Sequence, residues 1–295
     1  MKGPVLVTGA SGLLGRQVRA HLESSGEQVM GLSYSRRGVG LQCLDLTDEK
    51  SVKTFLSEAK PRTLVHCAAE RRPDLVEGRP DEVKKINVTA CETLADYVKA
   101  EQARIVYLST DYVFDGNSPP YQTDAQTNPL NAYGVSKLEG EKVFMEKVPD
   151  LSVILRVPIL YGPVETIDES QVTTLAELVK SGMNSKVDDW ATRYPTYTPD
   201  VARAIGDLLN AWEAGTNLSG IQHFSGSEAI TKYGMCLEMA KIFGCSSEAL
   251  SPDPNPPAGA PRPKNSQLGK SALDGHLTFR PTPFFEGLKI SLSGT

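Results

Sequence analysis

Tyr133 and Lys137 stand four residues apart in the run Asn131-Ala132-Tyr133-Gly134-Val135-Ser136-Lys137. On a helix, positions i and i+4 share one face. A phenol beside an ammonium has a chemical use, because the cation stabilises the phenolate and lowers the tyrosine pKa toward neutrality. Tyr-x-x-x-Lys also arises by chance as an ordinary surface pair, so its weight comes from its company. That company is a glycine turn, Gly9-Ala10-Ser11-Gly12-Leu13-Leu14-Gly15, directly after the apolar run Val5-Leu6-Val7-Thr8. Glycines at this spacing allow a tight turn, close approach of backbone to a pyrophosphate, and a helix N-terminus aimed at the phosphates. Gly9, Ser11, Gly12, Leu13, Leu14 and Gly15 are therefore candidate cofactor-binding residues. Together the two motifs predict hydride chemistry on a carbonyl.

These residues need elements to position them. Strands are predicted at Val5–Val7, Gln28–Ser33, Thr63–Cys67, Arg104–Ser109 and Ser152–Arg156. Between them, helices are predicted at about Gly12–Ser25, Glu49–Ala59, Asp81–Ala100 and Tyr133–Val148. Apolar strands alternating with helices predict an α/β fold with a doubly wound parallel sheet, which binds ligands at the carboxyl ends of its strands. Ser109 and Thr110 close one such strand, which puts their hydroxyls at that edge.

After about residue 160 the alternation weakens. Ser170–Gly182, Pro199–Trp212 and Thr231–Phe243 read as helices, with Thr231 an N-cap, and Ile221–Phe224 as a strand. Ser251–Pro263 carries six prolines and reads as loop. The expected division is a nucleotide-binding domain over 1–160, with segments near 196–224 returning to it, and a smaller C-terminal lobe over 161–295.

The end of the second strand bears on the cofactor. An acid there would bind a ribose 2′-hydroxyl and repel a 2′-phosphate. This chain has Ser33-Tyr34-Ser35-Arg36-Arg37 instead. A hydroxyl and two guanidinium groups, from Ser35, Arg36 and Arg37, suit a phosphate, so the expected cofactor is NADP(H).

Composition narrows the class. The 295 residues include 40% hydrophobic ones, enough for a full core. The formal charge of −5 and the lack of basic runs argue against a nucleic-acid surface. Cys43, Cys67, Cys91, Cys236 and Cys245 lack Cys-x-x-Cys spacing, and the four histidines are isolated. Free thiols in a reducing compartment, and no metal site, are expected. Without a signal peptide or a long apolar run, a cytosolic protein is expected.

Gly-x-x-Gly-x-x-Gly followed by Tyr-x-x-x-Lys resembles the extended short-chain dehydrogenase/reductase family. The resemblance implies roles for further residues. Asp45 and Leu46 would lie near the adenine. Cys67, Ala68 and Ala69 would lie beside the nicotinamide ribose, with Asn87 in support. Thr110 would bind the substrate carbonyl, Tyr133 would donate the proton, and Lys137 would hold the ribose. Pro158 and Ile159 would wall the nicotinamide ring.

Two branches of the family compete, and the segments that discriminate between them favour the second. Ser109-Thr110-Asp111-Tyr112-Val113-Phe114-Asp115-Gly116 and Arg262-Pro263-Lys264-Asn265-Ser266 resemble the dTDP-4-dehydrorhamnose reductases. Val65-His66-Cys67-Ala68-Ala69-Glu70-Arg71-Arg72-Pro73-Asp74 and Pro158-Ile159-Leu160-Tyr161-Gly162 resemble the regulatory β subunits of methionine adenosyltransferase. So do Trp190, Arg193-Tyr194-Pro195-Thr196 and Thr231-Lys232-Tyr233. The second branch implies a catalytic methionine adenosyltransferase subunit as partner, and a role in S-adenosylmethionine biosynthesis. The first implies reduction of a 4-keto nucleotide sugar. After Thr282-Pro283-Phe284 only Phe285–Thr295 follow, without the apolar, basic tail the second branch implies, so the expected partner contact is either lost or made by another surface.

Overall fold

The computed structural model describes residues 3–70 and 83–293. The chain opens with β1 (Val5–Thr8), α1 (Leu13–Ser24), β2 (Val29–Ser33), β3 (Leu41–Cys43), α2 (Glu49–Ala59) and β4 (Thr63–His66). A π-helical turn, Lys85–Thr89, runs into α3 (Ala90–Glu101). Then come β5 (Arg104–Thr110), α4 (Ala132–Lys147), β6 (Ser152–Val157) and β7 (Leu160–Tyr161). The rest is α5 (Thr174–Ser181), β8 (Ser185–Asp188), β9 (Thr196–Tyr197), α6 (Thr198–Glu213), β10 (Gly220–His223), α7 (Lys232–Phe243), β11 (Leu250–Asp253) and α8 (Phe284–Leu292).

Seven strands form one sheet in the order β3-β2-β1-β4-β5-β6-β10, every neighbouring pair parallel. The apolar runs explain it, because a parallel strand covered on both faces is apolar over most of its length, with polar residues gathered toward its ends. Alternate residues then serve opposite cores. Val7, Val65, Val106 and Leu155 pack with α1 and α6. Leu6, Leu64, Ile105 and Ile154 pack with α2, α3 and α4. Side-chain caps start three of the helices: Asp48 accepts from Ser51 N at 3.1 Å, Asn131 from Gly134 N at 2.9 Å and Thr231 from Gly234 N at 3.1 Å.

The second half serves two places. α6 packs on α1, and β10 extends the sheet beside β6. A separate core, with Val172, Val179, Met235, Met239 and Leu288, gathers α5, α7 and α8 around the two-stranded ladders β7–β9 and β8–β11.

Two expectations need correction. The proline-rich stretch 251–263 is not loop from its start, because residues up to Asp253 belong to β11, paired with β8. Pro252 offers no N–H, but in a two-stranded ladder each strand has an unpaired edge where none is needed. The helix expected from Ser170 begins only at Thr174, since Ser170 Oγ turns back to bond Leu160 O at 2.9 Å. No helix among the described residues is long and apolar enough to cross a membrane.

Candidate functional site

A cavity of about 750 Å³ opens at the carboxyl ends of β1, β2, β4, β5 and β6. It lies over the β1–β4 junction, where the order of the sheet reverses and a doubly wound fold leaves its crevice. Gly9, Ser11, Gly12, Leu13, Leu14 and Gly15 line it. Gly9 has φ +63°, and a Cβ there would lie 2.8 Å from Ala68 N. A Cβ on Gly15 would collide with Gly9 O. The turn therefore closes on itself and on the end of β4 with no room for side chains. Gly12 is the N-cap of α1, whose first turn has no acid and no side-chain cap. The unmatched N–H groups and the positive end of the helix dipole point an anion-binding surface at the cavity.

At one end the wall is Leu32, Ser33, Tyr34, Leu44, Asp45, Leu46 and Thr47. Asp45 Oδ1 accepts from Thr47 N at 2.8 Å and Thr47 Oγ1 at 2.7 Å, which fixes this loop. Tyr34 is exposed beside it, and its ring is a wall residue that the motif reading passed over.

Cys67, Ala68 and Ala69 line the middle. Burial pushes the Cys67 thiol up to about 12, so it is a small neutral residue here. Beneath it, Thr8 Oγ1 lies 2.7 Å from His66 Nδ1 and accepts from Ala68 N at 3.3 Å. Burial, then the charge of Lys137, pulls His66 down to about 3, so its ring is neutral.

The other end gathers Ser109, Thr110, Tyr133, Lys137, Pro158 and Ile159, with Asp111 and Tyr112. Tyr133 and Lys137 sit in the first two turns of α4. The Tyr133 ring meets Tyr112 edge-on, with centroids 6.1 Å apart. Lys137 is 3% exposed, and its Nζ lies 3.9 Å from the centre of the Tyr107 ring. Burial pulls the Lys137 ammonium down to about 8. Thr110 Oγ1 accepts from Tyr112 N at 3.1 Å and donates to Asp111 Oδ1 at 3.2 Å. Its hydroxyl thus caps the turn after β5 while facing the cavity. Burial raises the Asp111 carboxyl to about 6, against the opposing hydrogen bond from Ser266 Oγ.

Support comes from behind. Glu141, one turn beyond Lys137, is buried with Arg156 of β6: Arg156 Nε donates to Oε1 at 3.0 Å and Nη2 to Oε2 at 2.6 Å. Ser109 Oγ also donates to Glu141. Asn87 lies in the π-helical turn and does not line the cavity. Its Nδ2 donates to Ser136 Oγ at 3.0 Å and Glu70 O at 3.3 Å, and its Oδ1 accepts from Glu70 N at 3.1 Å. It ties α4 to the segment after β4, a role consistent with π-turns at working sites. Glu70 lines the cavity; Arg71, Arg72, Pro73 and Asp74 lie outside the described residues.

Ser35, Arg36 and Arg37 stand apart from the main cavity. Arg36 and Arg37 line a neighbouring groove of about 510 Å³ with Arg16, Arg19, Ser11 and Glu165, and Ser11 faces both spaces. Arg36 is already engaged: its Nη1 lies 2.7 Å from Glu165 Oε2 and 3.3 Å from Glu169 Oε1. No motif at the glycine turn announces these carboxylates, which come from the far side of the molecule in sequence.

A seven-stranded parallel sheet, a glycine turn at its switch point and Tyr-x-x-x-Lys on the helix facing it define an extended short-chain dehydrogenase/reductase. Comparison with known proteins agrees. The chain belongs to the family described as RmlD substrate binding domain, whose model matches residues 1–294. It is 43% identical to methionine adenosyltransferase 2 subunit beta of Xenopus tropicalis, over 97% of this chain and 86% of that protein. The Danio rerio protein of the same name is 44% identical, over 98% of this chain and 90% of that one. Among solved structures, dTDP-4-dehydrorhamnose reductase from Bacillus anthracis in complex with NADP superposes with a TM-score of 0.86 at 27% identity, covering 100% of this chain and 99% of the other.

Proposed function

We propose that this chain is an NADP(H)-binding regulatory β-type subunit of methionine adenosyltransferase, acting in S-adenosylmethionine biosynthesis through a catalytic partner. The observation that carries it is the 43–44% identity, over nearly the whole chain, to proteins named as that subunit. Relatives named as nucleotide-sugar reductases share less, 27% and 32%.

The site suits the cofactor on its own terms. Side chains are excluded at Gly9 and Gly15, and an uncapped helix end faces the space they leave, which is where a pyrophosphate would be held. Tyr34, Asp45 and Leu46 would hold the adenosine end, and Ser35, Arg36 and Arg37 its 2′-phosphate. Cys67, Ala68, Ala69, Ser109, Tyr133, Lys137, Pro158 and Ile159 would surround the nicotinamide riboside, with Asn87 bracing them. The buried Lys137 ammonium lies against the Tyr107 ring, and ribose hydroxyls would add hydrogen-bond acceptors to that contact. The bound cofactor would supply a hydride for carbonyl reduction. Residues 1–160, joined by 196–224, would form the nucleotide-binding part, and 161–295 mainly the smaller lobe.

The test is co-purification with a methionine adenosyltransferase catalytic subunit, together with its kinetics with and without this chain. Binding and an altered kcat or KM are expected. Neither binding nor any change would sink the proposal. A second reading has its own support, because Thr110, Tyr133 and Lys137 share one cavity wall with Asp111. Under it, Tyr133 would donate its phenol proton to the carbonyl oxygen of a 4-keto nucleotide sugar. NADPH oxidation with dTDP-4-dehydrorhamnose, abolished by Tyr133→Phe, is the expected outcome of that reading.

A further inference from the structure

Four charged side chains knit the C-terminal lobe to the glycine turn. Arg16 of α1 donates through Nη1 to Ser11 O at 2.9 Å and to Glu169 Oε1 at 2.8 Å, and through Nη2 to Glu169 Oε2 at 2.6 Å. Arg36, three residues past β2, donates through Nη1 to the same Ser11 O at 3.2 Å. That nitrogen also meets Glu165 at 2.7 Å and Glu169 at 3.3 Å. Glu165 N donates to Glu169 Oε2 at 2.9 Å, closing the ring. Both acids lie on the segment between β7 and α5.

The two carboxylates are not equivalent. The Glu169 side chain is 9% exposed and grips Arg16 with both oxygens. Burial opposes its ionisation, but the bonds from Arg16 and the Glu165 amide outweigh it and hold it at about 2. Glu165 is 57% exposed; it meets Arg36, itself 50% exposed, at 2.7 Å, and its other oxygen lies 3.5 Å from Arg16 Nε. A solvent-screened pair of long side chains is weak, whereas a buried fork-to-fork pair is not. Glu169 is thus the fixed anchor of the segment, and Glu165 is the exchangeable occupant of Arg36.

We propose that Glu165 is a specificity-determining residue that competes with the cofactor's 2′-phosphate for Arg36. This rests on the NADP(H) reading above. An unphosphorylated ribose leaves the Arg36–Glu165 pair intact. A 2′-phosphate brings about two negative charges and three acceptor oxygens to the same guanidinium. It must displace Glu165 and then sits beside a like charge. The carboxylate therefore weakens NADP(H) binding selectively, and the preference set by Arg36 is a difference between two acceptors for one cation.

Isothermal titration of the full chain with NADP+ and with NAD+ tests it, using wild type, Glu165→Gln and Arg36→Ala. Glu165→Gln is expected to tighten NADP+ by about two- to fivefold, the range of an exposed ion pair, and to leave NAD+ unchanged. Raising the salt from 0.05 M to 0.5 M should shrink that gain, because the competition is screened. Arg36→Ala should remove the preference for NADP+ while retaining NAD+ binding, which also shows that the protein is folded. If Glu165→Gln leaves NADP+ unchanged, weakens it, or shifts both dinucleotides equally, the competition is wrong while the NADP(H) reading stands. If wild type binds neither dinucleotide, both fall.

Discussion

At the scale of single residues, the site is built from groups whose proton affinities burial has moved away from their values in water. Lys137 is the clearest. Its usual pKa is near 10.5, and burial brings it to about 8. Below pH 8 both the folded and unfolded chains carry the proton, so the fold bears the whole cost of burying a cation. As the pH rises from 8 to 10.5 the folded chain loses the proton first, and the cost is relieved. Lys137→Met should therefore be more stable than wild type near pH 7, by on the order of 1–3 kcal/mol, and lose that advantage by about pH 10.5. Denaturant melts of both proteins without cofactor, at pH 7, 9 and 10.5, check it. Parallel stabilities across that range would mean that Lys137 is not a buried cation. The same substitution should abolish dinucleotide binding, which makes Lys137 a residue kept for use at a cost in stability.

Elements decide whether such residues meet. α4 carries Tyr133 and Lys137 on the face toward the cavity, and Glu141 locks that helix to the sheet through Arg156 and Ser109. Removing one member of a buried pair strands the other charge. Arg156→Met should cost about 3–5 kcal/mol. The double substitution Arg156→Met with Glu141→Leu should recover much of that stability, because the stranded charge is gone. Urea unfolding of the single and double variants measures the coupling, and simple additivity would refute it. Nothing in the sequence pairs Glu141 with Arg156, although each lies in an element that the pattern does predict. The central strands of the sheet are legible because burial on both faces demands apolar runs such as Val5-Leu6-Val7 and Val153-Ile154-Leu155. The glycine turn and the Tyr133 helix were legible because their chemistry depends on local spacing. β3, β7 and β9, of three residues or fewer, carry too little pattern to read. β11 was hidden by its prolines. Tyr34, Asp111 and the Glu165–Glu169 segment were missed for another reason. Tyr34 and Asp111 each follow a predicted strand end but belong to no spacing motif, and Glu165 and Glu169 reach the glycine turn only through contacts that span the fold.

At the scale of the whole molecule, one cavity is lined both by the seven-stranded sheet with its helices and by segments leading to the separate core of α5, α7 and α8, here called the lobe. The glycine turn, the ends of β4 and β5, and α4 supply most of it, while Leu160 and Gln171 reach in from the segments that lead into the lobe. Arg16 and Arg36 hold the same lobe segment through Glu165 and Glu169. A ligand filling this space touches both parts, so its binding energy must appear in the stability of both. With ligand at 100 times its Kd, the stabilisation is about 2.7 kcal/mol. For a chain of 295 residues, with an unfolding entropy of about 2.1 cal/mol/K per residue, that raises Tm by roughly 4 °C. Scanning calorimetry with NADP+ should show that rise in every transition the protein displays, including any that belongs to the lobe. Substituting Glu169→Gln cuts the buried link from the lobe to Arg16 without touching the glycine turn. It should leave a ligand-dependent rise in the sheet domain while the lobe transition separates and moves less. A lobe transition that rises fully with ligand in Glu169→Gln would show that the cavity lining alone couples the two parts, and that the ion pairs do not.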